Sequence, residues 1–307
     1  MSPWQLRPAD PRWPQSLDDL AQLDPPLRVA SLWVEGDLPE LPGVAIVGAR
    51  RATMAGQEAA RRIGGDLARR GVTVVSGFAR GVDFAAHQAC LRVRGHTVAV
   101  LGCGLDVDYP PQNSELRRLV GASGALISEH ALRTAPLAWH FPHRNRIIAA
   151  LARAVIVVEA GSRSGALSTA RWAADLGREI LAVPGPILGP SNEGSNRLLR
   201  DGARPYLDIS DLADVLPSRE PPVVTDVSLT AAAQEDQEGD RVTVIAPGRG
   251  RDGSSLLALL GTEPVHREVV TQALGLDAAE LAVLVGEMEL AGDIRSLPGG
   301  LISRSRW

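Results

Sequence analysis

The sequence predicts an α/β fold, a doubly wound and mainly parallel sheet over residues 43–215, with a small winged-helix unit over 254–307. Three features of the chain predict it. Short runs rich in Val and Ile recur from residue 43 and do not alternate polar with apolar, as strands buried on both faces of a parallel sheet do not. Helical patterns separate those runs with short loops, the strand–helix–strand rhythm of a doubly wound sheet. At roughly 150 residues per domain, 307 residues make two domains.

In chain order, residues 1–42 are spotted with Pro and Trp and too short for a core of their own, so they are expected to pack on the α/β domain as a lead-in. The strands are expected at 44–47, 72–75, 97–101, 125–128, 154–159 and 179–183, with helices that include 57–70, 84–94, 144–152 and 166–176. Residues 216–253 hold Pro217, Pro221, Pro222 and a Gln/Glu/Asp-rich run, the composition of a flexible linker. Beyond it, helical patterns at 256–260, 266–274 and 277–291 are broken at Gly275. Residues 293–303 then read as two short strands joined through Pro298, Gly299 and Gly300, and the whole as a winged helix-turn-helix. No internal repeat is visible.

Composition narrows the function. All 32 basic residues are arginine, which removes Walker A, kinase-type and Schiff-base lysines. Residues 43–215 carry a net charge of +6, whereas 1–42 carry −4 and each of the two later segments −3. An arginine-rich block inside an acidic chain points to an anionic ligand there. The arginine pairs at 61–62, 69–70 and 117–118 sit in helical patterns and read as solvated faces. Cys90 and Cys103 stand too far apart for a metal clip and frame no disulfide network. No apolar run reaches the ~18 residues of a membrane span. The opening residues lack a signal pattern, so a reduced, cytoplasmic protein is expected.

Ligands of doubly wound sheets lie beyond the carboxyl ends of the strands, so the loops there matter most. The first is Gly48-Ala-Arg50-Arg51 running to Gly56, where glycine admits an anion close to the backbone and a helix N-terminus offers amides. Next come Ser76-Gly77-Phe78-Ala-Arg80-Gly81 and the segment from Gly102 to Tyr109 and Pro110. Phe141-Pro-His-Arg144-Asn145-Arg146 precedes the fifth strand, and Gly161-Ser162-Arg-Ser164-Gly165 follows it. Spacing excludes a dinucleotide fingerprint, because Gly48 and Gly56 are too far apart and Val107 stands where a third glycine belongs. Ser164 lies in G-x-x-S-G rather than a nucleophile elbow and reads, with Ser162, as a helix cap. His130, His140 and His143 do not converge as a metal set, and His87 reads as a structural histidine, so neither metal nor cofactor is expected. What remains is Arg50, Arg80, Arg144 and Arg146 beside Phe78, Tyr109, Phe141 and Trp139. Guanidinium forks grip phosphates and aromatics stack unpaired bases.

These strings resemble the DNA-processing protein A family (DprA, also called Smf). The matching pieces are Val47-Gly-Ala-Arg50, Ser76-Gly-Phe-Ala-Arg-Gly-Val-Asp83 with Ala86-His87, Val100-Leu-Gly-Cys-Gly-Leu-Asp106 with Tyr109-Pro110, and Ser128-Glu129. They continue with Phe141-Pro-His-Arg-Asn-Arg-Ile-Ile148, Val158-Glu-Ala160, Ser164-Gly-Ala-Leu-Ser-Thr169, Ala182-Val-Pro-Gly185 and Gly194-Ser-Asn196. The resemblance implies an extended Rossmann-like domain that binds single-stranded DNA, loading of the recombinase RecA in natural transformation, a homodimer, and no enzymatic activity. It places the strand on Arg50, with Arg80, Arg144 and Arg146 as matching basic positions. The candidate single-stranded DNA-binding set is then Gly48, Arg50, Arg51, Ser76, Gly77, Phe78, Arg80, Gly81, Tyr109, Phe141, Arg144, Asn145, Arg146, Ser162, Ser164 and Gly165. The chain departs from the family pattern at Ala49, often Ser, and at Phe78, often Leu. It carries arginine for the family's lysines, and residues 1–42 are shorter than the N-terminal helical domain of many members.

The expected recognition helix of the wing, 277–291, holds four acids and no arginine. Such a helix cannot neutralise phosphates, so the wing reads as a protein-contact or self-association module. Two further readings stay open. The strand–loop pattern also resembles the nucleoside-monophosphate phosphoribohydrolases. Thr169 and Ala170 stand near the place of their motif glutamate, leaving Glu129 or Glu159 as substitutes. A small-nucleotide sensor signalling through the winged helix is the other.

Overall fold

The computed structural model describes residues 2–216 and, toward the C-terminus, 256, 260, 265–274, 276, 278–290, 293–297 and 301–304. The linker expected at 216–253 lies outside the described residues except for Leu216. The chain divides into two compact units, Met1–Val227 and Ser228–Trp307.

In the first unit the strands are β1 (Trp4–Leu6), β2 (Leu32–Gly36), β3 (Gly43–Val47), β4 (Val74–Ser76), β5 (Thr97–Leu101), β6 (Ala125–Ser128), β7 (Ala152–Val157), β8 (Glu179–Ala182) and β9 (Arg204–Pro205). The helices are α1 (Met54–Arg69), α2 (Val82–Arg92), α3 (Ser114–Ser123), α4 (His140–Ala150), α5 (Ala166–Asp175) and α6 (Glu193–Arg200). Among the described residues they form one sheet in the order β1-β2-β6-β5-β4-β3-β7-β8-β9. From β3 to β9 every neighbouring pair is parallel, as is β5 with β6, whereas β2 runs antiparallel to both β1 and β6. The chain steps from β3 through β4 and β5 to β6, then returns across β3 to β7. The strand order therefore reverses between β3 and β7, where their carboxyl ends open a crevice.

Burial explains the strands. Every residue of β3, β4, β5 and β6 is buried, and helices cover both faces. α1 and α2 pack Ile63, Leu67, Ala86 and Cys90 on one side. α4 and α5 pack Ile147, Ile148, Ala170 and Ala173 on the other, where Leu6, Leu17 and Leu20 of the N-terminal segment join them. The N-terminal segment thus supplies the edge strand β1 and its neighbour β2, in which Leu32 and Val34 face inward while Trp33 and Glu35 are half-exposed.

The second unit, described by itself, contains α7 (Arg267–Leu274), α8 (Ala278–Leu290) and strands β10 (Val265–His266), β11 (Ile294–Leu297) and β12 (Leu301–Arg304). The strands pair antiparallel in the order β10-β12-β11. Leu256, Val270, Leu281, Val285, Ile294 and Ile302 form its core. Two helices followed by a hairpin are the winged-helix arrangement, and the hairpin's Pro298–Gly300 turn lies outside the described residues. No helix among the described residues is long and apolar enough to cross a membrane.

The close α1–α2 contact depends on Gly64. A Cβ there would stand 2.7 Å from the Ala86 carbonyl oxygen, whereas one on Gly65 would first meet the Arg69 guanidinium at 3.5 Å. Thermal unfolding should therefore separate two adjacent substitutions. Gly64→Val should cost about 1–3 kcal/mol by overpacking, and Gly65→Ala should stabilise by about 0.5–1 kcal/mol through helix propensity.

Candidate nucleic-acid interface

The loops after β3, β4, β5 and β7 meet the first turn of α4 at the carboxyl end of the sheet. They enclose two neighbouring cavities. One, of about 510 Å³, is bounded by the β3 and β7 loops and α4. The other, of about 230 Å³, lies over β4 and β5. Arg50, Ala79 and Phe141 line both, so the two bays form one trough. Another concavity, of about 590 Å³, lies at the amino ends of the strands, but Asp37 and Glu40 line it together with Arg70 and His96, a wall of mixed sign.

The floor of the trough is held by buried ion and amide contacts. Glu159, just past β7, is buried. Its carboxylate accepts from the Thr53 amide at 3.2 Å and from Thr53 Oγ1 at 2.6 Å. Thr53 Oγ1 in turn accepts from the Gly56 amide, 3.0 Å away, capping α1. A Cβ on Gly56 would lie 2.2 Å from Glu159 Oε2, so glycine is required where helix and carboxylate meet. The N-terminus of α1, expected to offer its amides to a ligand, is thus occupied by the protein's own anion.

A second knot lies under β4. Asp83 accepts from the Gly77 and Ala79 amides at 3.1 and 3.2 Å, and Arg144 Nη1 donates to the Gly77 carbonyl at 2.8 Å. A Cβ on Gly77 would lie 2.7 Å from Arg144 and 2.8 Å from Asp83, which excludes any larger residue. Burial pushes the Asp83 carboxyl up to about 6 against the pull of Arg144. Burial also lowers Arg144 to about 10, with Asp83 opposing. Arg144 is therefore an internal cation. His87 is wholly buried, and burial, reinforced by Arg144, lowers it to about 3, so its ring is neutral. Thr97 Oγ1 donates to Val74 O and so accepts from His87 Nδ1, 2.7 Å away.

The rim has the opposite character. Arg50, Arg51, Arg80 and Arg163 are exposed, line the trough and form no ion pair among the described residues. On the helix faces Arg61, Arg62, Arg69, Arg117 and Arg118 are paired with nearby carboxylates, whereas Arg70, Arg92 and Arg171 are exposed and form no ion pair among the described residues. The rim differs in bringing four such arginines around one trough. Phe141 stands at the junction of the two bays. The Arg50 guanidinium lies 5.4 Å from its ring centre and that of Arg144 5.9 Å, within cation–π range. The Tyr109 ring lies 5.4 Å away at 43°.

Of the residues expected from sequence, all but Ser76, Gly81 and Arg146 line the trough. Arg146 is 1% exposed. It donates from Nη2 to Glu129 at 2.5 Å and from Nη1 to the His143 carbonyl at 3.0 Å. It braces α4 against the β6 loop rather than facing a ligand, because α4 turns it inward two residues after Arg144. Ser76 donates to the Ile46 carbonyl at 2.6 Å inside the sheet. Gly81 takes φ +79° where a Cβ would strike the Ala49 carbonyl oxygen, so it shapes the Arg50 loop from behind. Phe78 closes the smaller bay from below but is 2% exposed and packs on His87, centroids 5.8 Å apart, as a core residue. Asn145 donates to the Gly165 carbonyl at 3.2 Å, and Ser164 Oγ accepts from the Ala166 amide at 3.3 Å. Both set the β7 loop, while Ser162 is exposed on the wall. Arg163, outside the expected set, also lines the trough and is exposed; the signal for it in the sequence is a basic residue inside a Gly/Ser loop at the strand reversal.

The Glu159 contact fixes the shape of the Arg50–Arg51 loop. Glu159→Ala leaves the Thr53 amide without its acceptor and should lower stability by about 1–3 kcal/mol in urea unfolding; an unchanged midpoint would contradict this role.

Comparison with known proteins places this geometry. The family described as DNA recombination-mediator protein A matches residues 4–217, and a DprA winged helix domain matches 245–300. Protein Smf of Escherichia coli (strain K12) is 38% identical over 310 residues, covering 98% of this chain and 78% of that one. The X-ray structure of DNA processing protein A from Streptococcus pneumoniae superposes with a TM-score of 0.64 at 34% identity, over 70% of this chain and 75% of that one. DNA processing protein A from Helicobacter pylori, described for its single-stranded DNA binding mode, gives 0.61 at 29% identity, over 69% and 94%. The chain belongs to the DNA recombination-mediator protein A family, the DprA/Smf proteins.

Proposed function

We propose that this protein binds single-stranded DNA along the trough, without sequence preference and without chemistry, and hands it to the recombinase RecA during natural transformation. The observation that carries this is the segregation of charge: Arg50, Arg51, Arg80 and Arg163 stand unpaired on the rim, while Arg144 and Arg146 are engaged below it. Unpaired guanidinium groups around an open groove suit the phosphodiester backbone, and half-exposed Phe141 and Tyr109 between them suit a base face. Such contacts read no sequence.

The carboxylates near the trough are committed elsewhere. Glu159 holds Thr53, Glu129 holds Arg146, and Asp83 is buried under two amides. That favours a binder over a phosphoribohydrolase, which needs an acidic group facing its substrate. The winged-helix unit, whose α8 carries acids and no arginine, fits contact with a partner protein or a second copy of the chain. Assembly as a homodimer in the cytoplasm, where incoming strands meet the recombinase, belongs to the same proposal.

Fluorescence anisotropy with labelled oligo-dT and a mixed-sequence oligonucleotide tests it. Arg50→Ala, Arg80→Ala and Arg163→Ala should each weaken both ligands alike and reduce the salt slope by about one. Unchanged affinity in all three, or release of adenine from AMP by the intact protein, would overturn the reading.

A further inference from the structure

Two of the histidines near the start of α4 form an aromatic cluster with Trp139. The rings of His130 and His140 stack with centroids 4.0 Å apart at 30°. The Trp139 and His140 rings meet edge to face, with centroids 4.1 Å apart at 72°. His140 is 3% exposed, and its Nδ1 lies 3.1 Å from the Gly102 carbonyl oxygen, to which it donates. The pile is thus anchored to the loop that walls the smaller bay. Its outer member is free: Trp139 is 64% exposed. It lines neither cavity, yet it sits at the start of α4, two residues before Phe141 at the junction of the bays.

We propose that Trp139 is a separate stacking station for a nucleobase, lying outside the trough and taken by the same strand where it runs past α4. This rests on the trough being the path of single-stranded DNA. An indole has a broad π-face and few rotatable bonds. Here its rotation is further limited by the buried His140 ring at its back, so little entropy is lost when a base covers it. Half-buried His130 and buried His140 back the indole, and burial, with Glu129 opposing, lowers the titration of His130. A base stacked on the exposed indole gains affinity without a phosphate contact. The contribution of Trp139 is therefore insensitive to salt, unlike that of the rim arginines.

The test uses the full chain and oligonucleotides of increasing length, in oligo-dA and in an abasic backbone, at two salt concentrations. Oligonucleotides too short to leave the trough should bind wild type and Trp139→Ala equally. Longer oligo-dA should bind Trp139→Ala about tenfold more weakly, with a parallel salt slope. Trp139→Phe should recover most of the loss, and the abasic strand should show none. Trp139→Ala that matches wild type at every length overturns the station while leaving the trough intact, as does an equal loss on the abasic strand. A wild-type protein that binds no oligonucleotide removes both.

Discussion

A buried carboxylate organises the working end of the molecule. Glu159 follows β7, at the strand reversal, and reaches the N-terminus of α1, where it accepts from the Thr53 amide and hydroxyl. The Ala49 amide in turn donates to the Glu159 backbone carbonyl at 2.7 Å. The β3 loop is thereby stitched to the β7 loop at both ends, and Arg50 and Arg51 ride on the arch between. Gly48 lets the arch pass Val82, and Gly56 lets the helix close on the carboxylate. In a dinucleotide-binding fold the corresponding helix end is left to a pyrophosphate. Here the protein's own carboxylate satisfies it, and Arg50 and Arg51 are left exposed on the arch.

The same logic sorts the arginines by depth. Arg144 and Arg146 lie two apart on α4, and both turn inward, one over Asp83 and the Gly77 carbonyl, the other to Glu129. They fix where α4 sits, and with it Phe141. Arg50, Arg51, Arg80 and Arg163 lie on loops, which cannot bury them, and remain exposed. A chain without lysine uses one side chain at both depths, because the guanidinium tolerates burial beside a carboxylate and keeps its fork of donors when exposed.

Much of this was legible in the sequence, and the exceptions have physical causes. The six Val/Ile runs correspond to β3 to β8 with boundaries that agree to within two residues, because a strand buried on both faces leaves an unbroken apolar signature. β1 and β2 were missed as strands because an antiparallel edge alternates, and Trp33 and Glu35 dilute the pattern among prolines. The loops that build the trough follow from the rule that ligands sit at carboxyl ends of strands. Which arginines face outward did not follow, since that depends on the phase of α4 and on distant carboxylates at 83 and 129. Phe78 looked like a rim aromatic, but φ +59° at that position turns it under the loop onto His87.

The central claim is that a bare polynucleotide lies across the rim arginines and Phe141. Photo-cross-linking of the intact protein to a thiothymidine-bearing oligo-dT, followed by peptide mapping, tests it most directly. Adducts should fall on the peptides that carry Arg50 and Arg51, Tyr109 and Phe141. Adducts confined to the winged-helix residues 265–304, with none at the carboxyl end of the sheet, would contradict it.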